Sequence, residues 1–301
     1  MNRGIITIPD FGSGFFSNYF SVLSMIIIAD QQKLEPWVDL RRTAFVEGYN
    51  PYLDKDPPEN SENPWDWWFE QIKLNDNDKL FPIPYDITKF NQTEKLWNRA
   101  DLPYARNISE KYIKIKQHIL DRVNIIFEEE FKNKIVLGVM ARGTEMNKIH
   151  PEYGDQTIAT WLNKTSKILK KNKNIDRIFV VTEDKNYLDR FNEEFDNVFY
   201  LKDVFRRTTE SLEYTIKYPL WPCLNTERIN HCKLLGEEML IQALLLSKCE
   251  YLIVKQSGVS SAAIFFSHNL KDVYYTPTFI LFNRYLNFRL KLHLVLSKLF
   301  I

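Results

Sequence analysis

The chain is poor in cysteine. Cys223, Cys232 and Cys249 are odd in number and no two stand in a CxxC spacing, so neither a disulfide framework nor a zinc site is suggested, and a reducing compartment fits best. It lacks a dominant charge as well: 40 Lys and Arg face 39 Asp and Glu, and the formal net charge of +1 gives no field for nucleic acid. No apolar run reaches the ~18 residues of a membrane span. The N-terminus shows no basic region leading into an apolar core and a small-residue cleavage site. A cytoplasmic protein is the expectation. Missing too is the third glycine of the GxGxxG dinucleotide fingerprint, since Gly12-Ser13-Gly14 stands without it; this speaks against a dinucleotide-dependent enzyme.

What remains is an ordinary globular composition, 45% apolar and 26% charged over 301 residues, more than one core usually supports. Two domains are expected. Gly4 to Ile8 reads as a short strand, the segment from Pro9 through Gly12, Gly14 and Asn18 as a glycine loop, Tyr19 to Asp30 as a core helix, and Trp37-Val38 as a second strand closed by Asp39. Strand, loop, helix and strand open a Rossmann-like unit, and the loop brings backbone close to a ligand at a helix N-terminus. A tight turn with no ligand explains the same residues equally well.

Residues 47 to 108 are polar and aromatic. Trp65-Asp66-Trp67-Trp68-Phe69 offers ring faces that suit sugars, but such rings are more often the anchors of a small core beneath long loops. From Ser109 to Asn133 the apolar spacing of Tyr112, Ile115, Ile119 and Val123 predicts one long helix capped by Ser109. It leads from a first domain, residues 1–130, into a second, residues 131–301.

The second domain repeats one pattern three times. The apolar run Ile135 to Val139 stops at Arg142-Gly143-Thr144-Glu145. The run Ile178 to Val181 stops at Thr182-Glu183-Asp184, followed by a helix holding Tyr187, Leu188 and Phe191. The helix from Gly236 to Cys249 feeds Tyr251 to Val254, which stops at Ser257-Gly258-Val259-Ser260-Ser261 before a helix over 262–266. In a parallel sheet all three loops share the carboxyl edge, where open α/β sheets bind ligands. Arginine there offers a planar fork for phosphate, and serines at a helix N-terminus make an anion cradle. An arginine paired with a surface carboxylate is the bland alternative for Arg142 taken alone. An N-cap role is the alternative for Asp184, and both of its roles fit in one loop. Asp155 is a candidate cap for the helix through Ile158, Trp161, Leu162 and Ile168.

These motifs resemble those of the superfamily of α1,6-, α1,2- and protein O-fucosyltransferases. Gly138-Val139-Met140-Ala141-Arg142-Gly143-Thr144-Glu145 is similar to its Gly-Val-His-x-Arg-Gly-Thr-Asp motif, Phe179 to Asp184 to its second motif, and Glu238 to Ser261 to its third. Gly12-Ser13-Gly14 with Asn18 is similar to its N-terminal glycine loop. Three positions depart: Met140 replaces the histidine, Glu145 the aspartate, and Met146 the lysine after it.

The resemblance implies an α/β fold of the GT-B kind, two facing Rossmann-like domains with parallel sheets, donor on the C-terminal one and acceptor on the N-terminal one. It implies an inverting glycosyl transfer from a GDP-sugar, fucose foremost, to a glycan or lipid-linked glycan, without metal or other cofactor. Arg142 would bind the diphosphate and stabilise the leaving group. Gly12, Gly14, Asn18, Gly143, Thr144, Thr182, Asp184, Ser257, Ser260 and Ser261 would complete the donor site. Asp10, Glu145 and Asp39 are the candidate bases, and His150 a stand-in for the missing histidine. A nucleotide-sugar- or glycan-binding protein without turnover is the alternative. Phe279 to Ile301 carries Arg284, Arg289, Lys291 and Lys298 and no acidic residue; it suits either an anionic membrane at the inner face or packing on the N-terminal domain.

Overall fold

The computed structural model describes residues 2–8, 14–43, 45–46, 60–90, 96, 99–142, 157–206, 228–255 and 257–276. The first sheet is built from β1 (Asn2–Thr7), β2 (Glu35–Asp39) and β4 (Lys79–Pro82), in the order β2-β1-β4 with both pairings parallel. The second comprises β6 (Val136–Met140), β7 (Arg177–Val181), β8 (Val198–Phe199), β9 (Tyr251–Val254) and β10 (Asp272–Tyr275), in the order β10-β9-β6-β7-β8 and parallel throughout. The α/β class with parallel sheets is therefore as expected from the sequence.

Helices α1 (Phe15–Gln31), α2 (Trp65–Trp68), α3 (Leu102–Tyr112), α4 (Gln117–Ile126), α5 (Ile158–Lys171), α6 (Lys185–Glu194), α7 (His231–Leu246) and α8 (Gly258–Phe266) connect and cover the strands. Strand β6 shows why the second sheet is apolar end to end. All five of its residues are buried; Val136 and Met140 face one core cluster, Leu137 and Val139 the other. A parallel strand covered on both faces reads as a continuous apolar run rather than an alternation. Gly138 lies in the middle of it because a Cβ there would come within 2.7 Å of Leu252 Cδ2 and 2.8 Å of Leu246 Cδ2.

The larger core cluster crosses from one sheet to the other. It joins Ile6, Phe16, Tyr19, Phe20 and Val38 of the first part to Met140, Phe179, Leu252, Val254 and Phe265 of the second. Helix α1 is apolar around most of its circumference, which fits burial on all sides. It packs against β1, β2, α3 and α8. Phe16 and Tyr19 meet Phe266 with ring centroids at 6.3 and 5.6 Å, and Phe20 meets Phe265 at 5.5 Å.

The aromatic cluster is core, the second of its two sequence readings. Trp65, Trp68 and Phe69 are buried. Trp68 reaches across to α7, where Nε1 donates to the Lys233 carbonyl at 2.9 Å. A Cβ on Gly236 would stand 2.3 Å from that ring. The neighbouring side chains Asn63 and Gln71 complete the outer edge of β2. Val38 N donates to Gln71 Oε1 (2.7 Å) and Leu40 N to Asn63 Oδ1 (3.0 Å), while Asn63 Nδ2 (2.7 Å) and Gln71 Nε2 (3.0 Å) donate to the Val38 carbonyl. Two amides thus satisfy edge groups that a neighbouring strand would otherwise pair.

Two expectations need correction. The single helix over Ser109–Asn133 is broken. Helix α3 ends at Tyr112, residues Lys114–Ile115 form β5 and pair antiparallel with β3 (Phe69–Glu70), and α4 starts at Gln117 and runs on as a π turn over Phe127–Phe131. The alternation Ile113-Lys114-Ile115-Lys116 fits a strand as well as a helix, and tertiary pairing decides for the strand. Ser109 is no cap; its Oγ lies 2.7 Å from the buried Tyr19 hydroxyl. The cysteine reading also fails in part, because Cys232 is disulfide-bonded and its partner lies outside the described residues; Cys249 is a buried free thiol. Asp155, His150 and the segment 279–301 lie outside the described residues. Among the described residues no helix is long and apolar enough to cross a membrane.

Candidate active site

Strands β9, β6 and β7 are adjacent and parallel, with β6 in the middle, so their carboxyl ends open on one edge. The register sets Met140 against Val181, and the Ala141 N–H extends the ladder to the Val181 carbonyl at 2.9 Å. Arg142 follows at once. Its side chain is 36% exposed, and Nε stands 3.8 Å from Glu183 Oε1. That separation is an ion pair without hydrogen-bond geometry. The partner is a carboxylate from the next loop of the same edge.

Thr182 and Asp184 are buried beside it. Asp184 N donates to Thr182 Oγ1 at 3.2 Å, and Asp184 Oδ1 accepts from Asn186 N at 2.9 Å, capping α6. The capping reading is thus realised. On the other flank Ser257 caps α8: its Oγ accepts from Ser260 N (3.2 Å) and donates to Ser260 Oγ (3.0 Å), while Ser261 N donates to the Ser257 carbonyl (2.9 Å). Ser260 and Ser261 are buried and Ser257 is half-buried. The serines build a well-formed helix start, the local geometry that favours an anion.

The first sheet contributes its own carboxyl edge. Gly14 immediately precedes α1 and is exposed; its carbonyl accepts from Ser17 N and Asn18 N at 2.9 and 3.2 Å. A Cβ on Gly14 would meet nothing within 4 Å, so packing does not require glycine there. Asn18 is buried in the first turn of α1. Asp39 ends β2 and is engaged by Arg41, whose backbone N and Nε bond Oδ1 at 3.0 Å each and whose Nη2 bonds Oδ2 at 2.8 Å. Burial pushes its pKa up, but the bonds from Arg41 outweigh that and hold the carboxyl below its ordinary value. This counts against Asp39 as the base, because a carboxylate stabilised as its anion is a weaker proton acceptor than a free one. Asp10, Gly12, Gly143, Thr144 and Glu145 lie outside the described residues.

Met140 is 4% exposed and belongs to the core cluster shared by the sheets. Several groups near the two sheets had smaller roles in the sequence reading, or none. Glu183 was read with Asp184 as an acidic strand end able to accept hydrogen bonds, and not as the partner of Arg142. Lys255, directly after β9, is 6% exposed. Asp66 has its carboxyl pushed up chiefly by burial and also by the Asp39 charge, with Lys116 and Gln71 pulling the other way. The directly readable signal was position after a strand, which Lys255 and Glu183 share with Arg142. Asp66 had none. Among the described residues no group of three or more His, Cys, Asp or Glu could hold a metal ion.

No family model matches the chain, and no curated protein matches it in sequence. Solved structures do match. NodZ α-1,6-fucosyltransferase co-crystallised with GDP superposes with a TM-score of 0.52 at 15% identity, over 91% of this chain and 94% of that one. The fucosyltransferase NodZ from Bradyrhizobium gives 0.51 at 15%, over 91% and 94%. NodZ soaked with GDP-fucose gives 0.50 at 16%, over 89% and 93%. The fold is GT-B. At this identity the likeness shows the fold alone, shared over almost the whole of both chains. In a GT-B chain the edge carrying Arg142, Asp184 and Ser257 is the carboxyl edge of the second of two Rossmann-like sheets.

Proposed function

We propose that this chain is a glycosyltransferase that moves a sugar, fucose foremost, from a GDP-sugar to a glycan acceptor, by an inverting route that needs no metal. One observation carries the reading: three adjacent parallel strands end together in an accessible arginine, a capped Thr-Glu-Asp turn and a serine-capped helix start. Structures of NodZ described as soaked with GDP-fucose or co-crystallised with GDP share the fold and support the choice of nucleotide. Domain 131–301 holds the donor and domain 1–130 the acceptor.

In this scheme the acceptor oxygen attacks the anomeric carbon from the face opposite the diphosphate. The bond from that carbon to the phosphate oxygen breaks, and its electron pair leaves on the diphosphate. Arg142 and the start of α8 stabilise that growing negative charge, with Gly143 and Thr144 beside the arginine. Thr182 and Asp184 shape the pocket for the nucleoside, and Ser257, Ser260 and Ser261 that for the phosphates. Gly12, Gly14 and Asn18 approach from the first sheet. The acceptor's proton passes to a carboxylate, Asp10 or Glu145. The acceptor is a glycan or lipid-linked glycan, and the basic tail offers a peripheral membrane contact.

The test is a thermal-shift screen of nucleotides and nucleotide sugars on wild type and Arg142→Ala. GDP or a GDP-sugar should stabilise the wild type, and the variant should lose most of that shift. Equal stabilisation of both proteins would remove Arg142 from the phosphate site. Release of GDP from a labelled GDP-sugar separates a transferase from a binding protein without turnover.

A further inference from the structure

Helix α8 has nine residues, too few to hold together alone in water. Its last carbonyls need partners from elsewhere. They find them on α3, which belongs to the other half of the molecule. Arg106 Nε donates to the Phe265 carbonyl at 2.7 Å, and Nη2 donates to the carbonyls of Ile264 at 2.8 Å and Ser267 at 2.6 Å. The guanidinium is half-buried, and burial lowers its pKa while Glu110 partly opposes that. These three hydrogen bonds all go to carbonyls, so the charge is spent on the negative end of α8.

The consequence lies at the opposite end of the same helix. Nine residues make a stiff rod of about 13 Å, and its first turn carries Ser257, Ser260 and Ser261. The rings of Phe265 and Phe266 pack on Phe16, Tyr19, Phe20 and Phe90 and hold α8 sideways. Apolar packing is non-directional, so it constrains sliding along the axis weakly. Three directional bonds from one planar fork set that axial position. The helix entering β9 is gripped likewise, by Trp68 seated on Gly236 and bonded to the Lys233 carbonyl.

We infer that Arg106 is a positioning residue for the serine cradle at the start of α8, so that a side chain of α3 sets how well the second sheet's edge holds a nucleoside diphosphate. The inference rests on the reading of that cradle as the phosphate contact. The experiment joins hydrogen exchange of the Ser257–Ser261 amides to calorimetry with GDP and with guanosine. It compares wild type, Arg106→Met, Arg106→Lys and, as a stability control in the other core cluster, Leu188→Ala. In Arg106→Met the cradle amides should exchange about tenfold faster while α5 is unchanged. The GDP Kd should rise about tenfold and the guanosine Kd less than twofold. Arg106→Lys, which keeps one charged donor, should recover part of both and serves alone if the Met variant does not fold. Leu188→Ala should lower Tm without either change. Exchange at the cradle that is unaltered in the Arg106 variants, or altered equally in the control, would overturn the inference. Faster cradle exchange in a protein that binds no GDP would leave the positioning role standing and remove the donor reading instead.

Discussion

Gly236→Ala should destabilise the protein although it replaces a helical glycine by the best helix former. In an open helix the change would gain about 1 kcal/mol. Here the added methyl would lie 2.3 Å from one atom of the Trp68 ring and 2.5 Å from another. Carbon contacts are comfortable from about 3.5 Å, so the ring must retreat by about 1 Å. It has nowhere to go. Trp68 is fully buried, with Phe15 at 4.9 Å and Phe45 and Trp67 at 5.4 Å between ring centroids. Overpacking costs about 1–3 kcal/mol, and losing the indole bond to the Lys233 carbonyl inside the protein costs about 1–3 more. Set against the propensity gain, the net loss is about 1–5 kcal/mol, which for a chain of this size lowers Tm by about 2–8 °C. Thermal unfolding followed by near-ultraviolet circular dichroism reads both the stability and the tryptophan environment. Trp68→Phe introduced into Gly236→Ala should recover more than about 1 kcal/mol relative to the sum of the single changes. A Gly236→Ala protein as stable as wild type, or more so, would refute the argument that this glycine seats the ring.

Tyr19→Phe leaves the Ser109 hydroxyl, 2.7 Å from the lost oxygen, without that partner in a buried site. It should cost about 1–2 kcal/mol by denaturant titration, and Tyr19→Phe with Ser109→Ala should cost less than Tyr19→Phe alone. Asp66 has a raised folded pKa, from burial first and the Asp39 charge after it. Its ionised form therefore opposes folding at neutral pH, and the penalty fades as pH falls through the raised value towards the ordinary one near ~3.9. Asp66→Asn should be more stable than wild type at pH 7 and lose that advantage below about pH 4; an advantage that grows on acidification would reverse the sign. For Asp39 the sign is opposite. Its carboxyl is held down by Arg41 against burial, so the stability it contributes is complete above the ordinary carboxylate value and disappears as pH falls through the lowered one. Arg41→Met should remove that low-pH dependence from the unfolding profile.

The strands that carry the candidate site were legible because each is an apolar run stopped by polar residues. That is what a parallel strand covered on both faces must look like, and β6, β7 and β9 match it. The shared edge followed from their being parallel. The segment Ser109–Asn133 was not legible, because period alone cannot separate a broken helix from an unbroken one when the break is a two-residue strand paired to Phe69–Glu70. Arg106 gave no signal either. Four residues before Glu110 on a polar helix, it reads as a surface cation, and only tertiary packing turns it towards the carbonyls of α8. The disulfide at Cys232 escaped because an odd count of cysteines says nothing of which pair meets.

Met140 shows how packing bears on the one motif position that departs most. A histidine at this place in the resembling motif would carry a polar ring, and here the side chain ends in the apolar cluster that binds the two sheets together, 4% exposed. The residues before and after it, Val139 and Ala141, both lie in the opposite cluster, so the next one able to reach the edge is Arg142. A methionine at that depth fills volume and asks for no hydrogen bond, whereas an imidazole would need one. Met140 therefore adds cohesion where the two sheets meet, and Arg142 is the first charged residue beyond it on this strand. In the donor reading proposed above, a core shared by the two sheets would keep that edge pre-organised, which is what a site relying on fixed positive charge rather than on a mobile group requires.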